Sequence, residues 1–384
     1  MHDGKPCGRP ATYGDKCVCH TDRENKDTRV FQRELDKIFG DEKAECYDLS
    51  HFIFPKRGYK LPEEYKKDVY FRLAKFSRRV DFSGATFSEA AIFNGADFSG
   101  GAKFRWVTFS GEAEFLGVTF SGKADFGGAR FFKYVNFFHC RVQNDSSMIF
   151  DGGVLPTKEK GQVFTGGAGF IACFFAEPKK ISFRKLSLEK CKLLETDVTG
   201  LQFVNVKWAR KPKFFKWFHR EAVYDELSEK PEYNLIAQLY RRLQANYVNN
   251  YRYSEAGDFY IGEQEMMRKA KGSGWMIWRR VFCTNFLYKY ISYYGQSFLL
   301  PLFWMLAVLF LFPLYLIYDG IIKDGYGNAF WKNLSFVTLN RADIGKYVTE
   351  PYQQGIVTLE GLLLVVLVTF FILALRRKYK RKTF

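Results

Sequence analysis

Between residues 69 and 137 the apolar positions recur on a beat that suits neither a helix nor a plain strand. Phenylalanine stands at Phe71, Phe76, Phe82, Phe87, Phe93, Phe98, Phe104, Phe109, Phe115, Phe120, Phe126, Phe131 and Phe137, at intervals that alternate five and six. Two places before each stands Ala or Val, from Val69 and Ala74 through to Ala129 and Val135. Ser, Gly, Lys, Glu and Asp fill the positions between. A helix returns its apolar face about every 3.6 residues and a strand about every 2. The observed beat predicts a chain that turns a corner every five or six residues. Each side is then a short extended piece whose small residue and Phe both point inward, because positions i and i+2 share a face. Gly and Ser serve the corners. Coils built this way stack Phe on Phe and Ala on Ala, with backbone bonds between coils about 4.8 Å apart. Such a solenoid buries each repeat only against its neighbours.

A second run follows an irregular insert at 144–162. Ala168-x-Phe170 and Cys173-x-Phe175 lead into Ile181-x-Phe183, Leu186-x-Leu188, Cys191-x-Leu193, Thr196-x-Val198, Leu201-x-Phe203 and Val206-x-Trp208, at a strict five. The spacing predicts one solenoid over 69–208, preceded by a linker and N-terminal cap at 26–68.

From Pro231 the period becomes helical, with Leu235, Leu239, Leu243 and Tyr247, then Ala256, Phe259, Tyr260, Met266 and Met267. Asn249–Asn250 breaks it into a hairpin, so 209–272 reads as a helical connector that caps the solenoid. The aromatic, basic stretch 274–295 predicts a helix lying on a membrane surface. Two long apolar segments come next. Gln296–Tyr318 carries no charge, and Gly355–Leu375 carries one, Glu360. At about 1.5 Å per residue each is long enough to cross a bilayer core. The linking segment 319–354 contains an apolar piece, Ala329–Leu339, that predicts a short re-entrant helix.

Charge then orients the picture. The net charge is +17, and six of the nine residues from Arg376 to Phe384 are Lys or Arg. A second basic group spans Arg268–Lys289, whereas Val69–Phe137 is close to neutral. Basic residues beside apolar spans predict a multi-pass protein of the cell (inner) membrane, with both termini and the solenoid cytoplasmic. A membrane surface fits this charge better than nucleic acid, which is not expected as a partner. The opening "MHDGKPCGRP" has no apolar core, so no secretory leader is expected. Three of the eight cysteines fall within residues 7–19. Cys17 and His20 have the spacing that lets two ligands of one turn reach one ion, and Cys7 can return across a Gly/Pro-rich loop. Soft and borderline donors of this kind suit zinc. No phosphate loop, nucleophile elbow or clustered carboxylate pair is present, and the chain is not expected to be an enzyme.

The repeat at 69–208 resembles the pentapeptide-repeat family, which implies a right-handed, four-sided β-helix; the alternation of five and six departs from that family's plain five. Residues 1–25 resemble the zinc-knuckle-like leaders found before such repeats, which implies a structural zinc on His2, Cys7, Cys17 and His20, with Cys19 as alternate. The connector's "LYRRL", "EAGDFY" and "GE" resemble a segment that precedes the membrane part of pentapeptide-repeat membrane proteins. "AFWKNLSFVTL" resembles the pore helix of two-helix potassium channels, and "DIG" resembles the segment just past their filter. "TLNRADIG" lacks the filter glycines whose backbone would line a potassium pore. The resemblance therefore implies a homo-oligomeric, tetrameric pore of other selectivity, lined by Thr338, Asn340, Arg341, Asp343 and Glu360. The alternative is a membrane-anchored scaffold whose solenoid binds a protein partner.

Overall fold

A computed structural model describes residues 9, 16–22, 26–154, 161–212, 219–270, 284–323, 325–338 and 347–380. The chain divides into two compact units, Met1–Met266 and Met267–Phe384.

In the first unit the chain winds into a parallel β-solenoid of about seven turns with four ladders, of seven, six, four and six strands. Val69 pairs with Ala91, Ala91 with Ala113, and Ala113 with Val135, each 22 residues on. Two five-residue and two six-residue sides make up one such coil, so the sequence beat is the perimeter of the solenoid. The small residue and the Phe of every side are buried. Phe71, Phe93, Phe115, Phe137 and Phe170 form one column, with ring centroids 4.8–4.9 Å apart. Neighbouring columns meet edge-on: Phe104 lies 5.7 Å from Phe93 and 5.6 Å from Phe115, near perpendicular to both. Parallel stacking along the axis and edge contact across it are the two arrangements that ring quadrupoles favour.

The five-residue steps have their own corner chemistry. The second residue after Phe71, Phe82, Phe93, Phe104, Phe115 and Phe126 has positive φ: Leu73, Gly84, Gly95, Trp106, Gly117 and Gly128. A left-handed residue tightens the corner by one position. Where it is not Gly it costs about 1 kcal/mol, and Leu73 and Trp106 bear that cost with exposed side chains that lie over Gly95 and Gly128 of the next coil.

The ladders start before the regular beat does. Cys46–Asp48 pairs with Asp68–Tyr70, and Ile53–Phe54 pairs with Lys75–Phe76. The region between 144 and 162 is also not wholly outside the ladders. Met148–Asp151 pairs with Ala124–Gly127 on one side and Ile181–Arg184 on the other, so only the stretch after it is extra chain. Beyond it the coil shortens, and Phe183 pairs with Phe203, 20 residues on.

Both ends are covered. At the first, helix α1 (Thr28–Gly40) is capped by Asp27, which accepts from the amides of Arg29 and Val30. It lays Phe31 against Phe52 and Phe54. At the last, Ala209–Pro212 forms an antiparallel pair with His219–Ala222, so the connector opens with strands rather than helix. Helices α2 (Tyr233–Asn249) and α3 (Tyr253–Ala270) then pack on the final coil. Asn246 donates to the carbonyls of Val198 (2.6 Å) and Leu201 (2.8 Å), Arg242 to that of Thr196, and Arg252 to that of Phe203. These side chains satisfy carbonyls that would otherwise face the next coil of a longer solenoid. Tyr247 continues the aromatic column over Phe203 and accepts from Trp208 Nε1 at 2.7 Å.

The second unit is helical. Helix α4 (Thr284–Ser292) precedes α5 (Leu299–Tyr318), α6 (Gly325–Thr338) and α7 (Pro351–Lys380). Helices α5 and α7 are long and apolar enough to cross a membrane. The core of this unit joins Leu316, Ile322, Ala329, Phe336, Val348 and Val357.

Candidate functional site

Two places gather chemistry. The first is the leader. The backbone turns at Cys17–His20, with the amides of His20 and Thr21 both donating to Cys17 O at 3.1 Å. That turn brings Cys17 Sγ and His20 Nδ1 to 3.0 Å. The leader is fastened to the solenoid: Ile53 N donates to Cys19 O at 2.8 Å, and His20 meets Phe52 edge-on. Lys26 is buried beside it, its ammonium donating to the carbonyls of Thr21 and Ile53. Burial pushes the Lys26 amine down to about 8, partly offset by Cys19 and Cys17. Burial likewise pushes the Cys19 thiol up to about 12 and the His20 imidazole down to about 4. A neutral imidazole beside a thiol is the donor pair that zinc takes on release of the thiol proton. Among the described residues no group of three or more ligands forms, and His2 and Cys7 lie outside those residues.

The second place is the helical hairpin. Helix α6 buries Ala329, Asn333 and Phe336, spaced i, i+4, i+7, so one face of it is turned inward. Helix α7 buries Gln353, Val357, Glu360, Leu364 and Leu367, again one stripe. An amide and a carboxylate therefore meet where the two faces pack. Asn333 Nδ2 donates to Glu360 Oε1 at 3.1 Å. Asn333 is fully buried and Glu360 is 4 % exposed. Glu360 Oε2 and Asn333 Oδ1 are both buried without a hydrogen-bond partner. Near the end of α5, Asp319 accepts from Tyr315, Tyr352 and Gln353, which ties α5 to the start of α7. Apolar side chains on both long helices face outward, among them Phe303, Leu311, Leu359 and Val365.

Of the residues expected to line a pore, Glu360 is placed on the inward stripe of α7. Thr338 ends α6, and Asn340, Arg341 and Asp343 lie outside the described residues. Asn333, the partner of Glu360, is absent from that expected set. Its signal was available: it shares a helical face with Ala329 and Phe336, so an amide had to be buried with them.

The family model described as "Pentapeptide repeats (9 copies)" matches residues 66–105 and 93–141. No curated protein and no solved structure matches the chain significantly. Four ladders, a 22-residue coil and stacked Phe columns coincide with the matched residues, so the part of the solenoid from 66 to 141 is built of pentapeptide repeats.

Proposed function

We propose that the chain forms a homo-oligomeric membrane pore, a tetramer, with α5 and α7 as its spans, α6 as a helix re-entering between them, and the solenoid on the cytoplasmic side. The observation that carries this is the buried Asn333–Glu360 contact between α6 and α7. A plain two-span anchor has no use for a packed intervening helix or for a carboxylate turned away from lipid, where it is expensive. Two spans enclose nothing, so conduction needs several copies. Outward apolar side chains on both spans offer faces to lipid and to those copies. The filter is not of the potassium type, and the permeant ion is set by Glu360 and the polar residues after α6. For the leader we propose a structural zinc held by Cys7, Cys17 and His20, completed by His2 or, in its place, by Cys19. The chain has no catalytic role in this reading.

The alternative is an anchored scaffold. Phe174, 63 % exposed beside Arg141 on one ladder, favours it, because an exposed aromatic next to a cation is a common protein contact. Single-channel recording on purified full-length protein in planar bilayers separates the two. Discrete currents whose ion preference changes in Glu360→Gln and Arg341→Ala support the pore. Silence from folded, oligomeric protein over a wide range of voltage and pH moves the assignment to the scaffold.

A further inference from the structure

Glu360 and Asn333 present a hydrogen-bonding problem with one economical solution. One bond joins them, from Asn333 Nδ2 to Glu360 Oε1. Each side chain keeps a second oxygen, Oε2 and Oδ1, and both oxygens are buried without a donor. Two buried acceptors left bare are destabilising, and an ionised carboxylate in an apolar hairpin more so. No cation among the described residues answers the need. Helix α5 carries no charged side chain. Lys332, next to Asn333 on α6, sits over the Tyr347 ring at 4.2 Å. Lys289 of α4 lies over Tyr290. Asp319 is taken up by Tyr315, Tyr352 and Gln353, and Lys323 and Glu350 are exposed. Between Pro351 and Leu375, Glu360 is the one charged residue of α7.

A single proton removes both vacancies. Placed on Glu360 Oε2, it turns the carboxylate into a carboxylic acid whose O–H points to Asn333 Oδ1, while Asn333 N–H already points to Oε1. Acid and amide then share two hydrogen bonds in one closed ring. We infer that Asn333 and Glu360 form a proton-binding site that clamps α6 to α7 as a neutral acid–amide pair. Taking the proton away breaks the O–H bond, returns Oδ1 to an unpaired state, and leaves a bare charge between the helices. The clamp therefore loosens as the pH rises, and α6 is the element released. The pair binds its proton whether or not the spans form a pore; in a pore, proton loss is the event that frees the re-entering helix.

The test uses full-length protein in lipid vesicles and infrared difference spectroscopy of wild type against Glu360→Gln at pH 7. The expected result is a protonated-carboxyl C=O band in the wild type that is missing from the variant. In Asn333→Leu, which keeps the carboxyl and removes its partner, that band shifts to the position of a free acid. Hydrogen exchange of α6 supplies the second readout. On raising the pH, and after correction for intrinsic exchange, protection of Ala329–Phe336 falls by about tenfold or more in the wild type. It holds in Glu360→Gln, whose amide makes both bonds without a titrating proton. A Glu360 that absorbs only as carboxylate at pH 7 overturns the inference. So does a band that Asn333→Leu leaves in place, or a Glu360→Gln hairpin that loosens with pH as the wild type does. None of these readouts depends on current, so a silent but protonated protein would refute the pore and leave the clamp standing.

Discussion

Removing the Asn246 amide tests how the solenoid is stopped. Asn246 is 2 % exposed and its amide donates to two carbonyls of the last coil, Val198 at 2.6 Å and Leu201 at 2.8 Å. In Asn246→Leu, which fills about the same space without polar atoms, Leu201 O would lose its donor and Val198 O would keep only Leu201 N at 3.3 Å. An unsatisfied buried acceptor costs about 1–3 kcal/mol, and with one carbonyl left bare the expected loss is about 1–3 kcal/mol. Asn246→Asp should be worse, because it sets an acceptor against two acceptors. The assay is urea unfolding of the full-length protein followed by the solenoid's circular dichroism, with amide exchange to locate the loss. The expected pattern is early exchange confined to the coil from Leu186 to Trp208 and to α2, with the coils around Phe104 still protected, since a solenoid is stabilised neighbour by neighbour. Asn250→Ala is the control: Asn250 donates only to Asn246 itself. A loss below about 0.5 kcal/mol in Asn246→Leu, or a loss of protection spread evenly over all coils, would refute the idea that side-chain donors terminate the ladder.

Three further outcomes are expected of the same structure. Phe104→Ala, in a column between Phe82 at 5.1 Å and Phe126 at 4.8 Å, should cost about 3–5 kcal/mol in urea unfolding, and Phe104→Leu distinctly less. Asp225 is buried, and burial pushes its carboxyl up to about 6 although it accepts from Leu193 N. The native state therefore holds this proton above the pH where the unfolded chain has released it, and stability from this group falls as pH rises from about 4 to about 6, by about 3 kcal/mol at most. Asp225→Asn should remove that fall, read as the difference between the two proteins' stability curves. If zinc bridges Cys17 and His20, native mass spectrometry should show one zinc per chain, lost on chelation, together with lowered protection of Ile53 N at the solenoid's first edge.

The solenoid could be read from sequence because its period is covalent. The distance between Phe71 and Phe93 is one perimeter, and nothing elsewhere in the chain can alter that. Where the period was less legible, the reason is visible in single residues. Leu49, Phe54 and Tyr65 continue the beat backward from Phe71, but Leu and Tyr stand in Phe positions and one side is missing between Phe54 and Tyr65, so the first coil hid inside an apparent linker. Met148–Asp151 was hidden likewise, because two extra residues precede it and its flanks are irregular. The two long helices were legible from length and apolarity alone. The Asn333–Glu360 contact was only half legible. A carboxylate inside an apolar segment stands out, whereas an amide in a mixed one does not until its helical face is traced.

The change of beat and the change of side chain are one event. Through the regular coils the perimeter is 22 residues and the inward residue is Phe. From Phe183 to Phe203 the perimeter is 20, and the inward residues between them are Leu186, Leu188, Cys191, Leu193, Thr196, Val198 and Leu201. A shorter perimeter encloses a smaller section, to be filled at the same interior packing density. Aliphatic side chains fill the narrower coil. The one aromatic column that persists loosens as it goes: Phe183 to Phe203 is 5.6 Å with an 18° tilt, against 4.8 Å and 5° between Phe104 and Phe126. Tyr247 of α2 then stands 6.2 Å beyond Phe203, tilted 24°. The taper thus hands the core over from ring-on-ring stacking to ordinary helix packing. The loss of the extra residue after Phe183 coincides with the replacement of phenylalanine by Leu188, Leu193 and Val198 on three of the four sides, and it is on this coil that the two helices close.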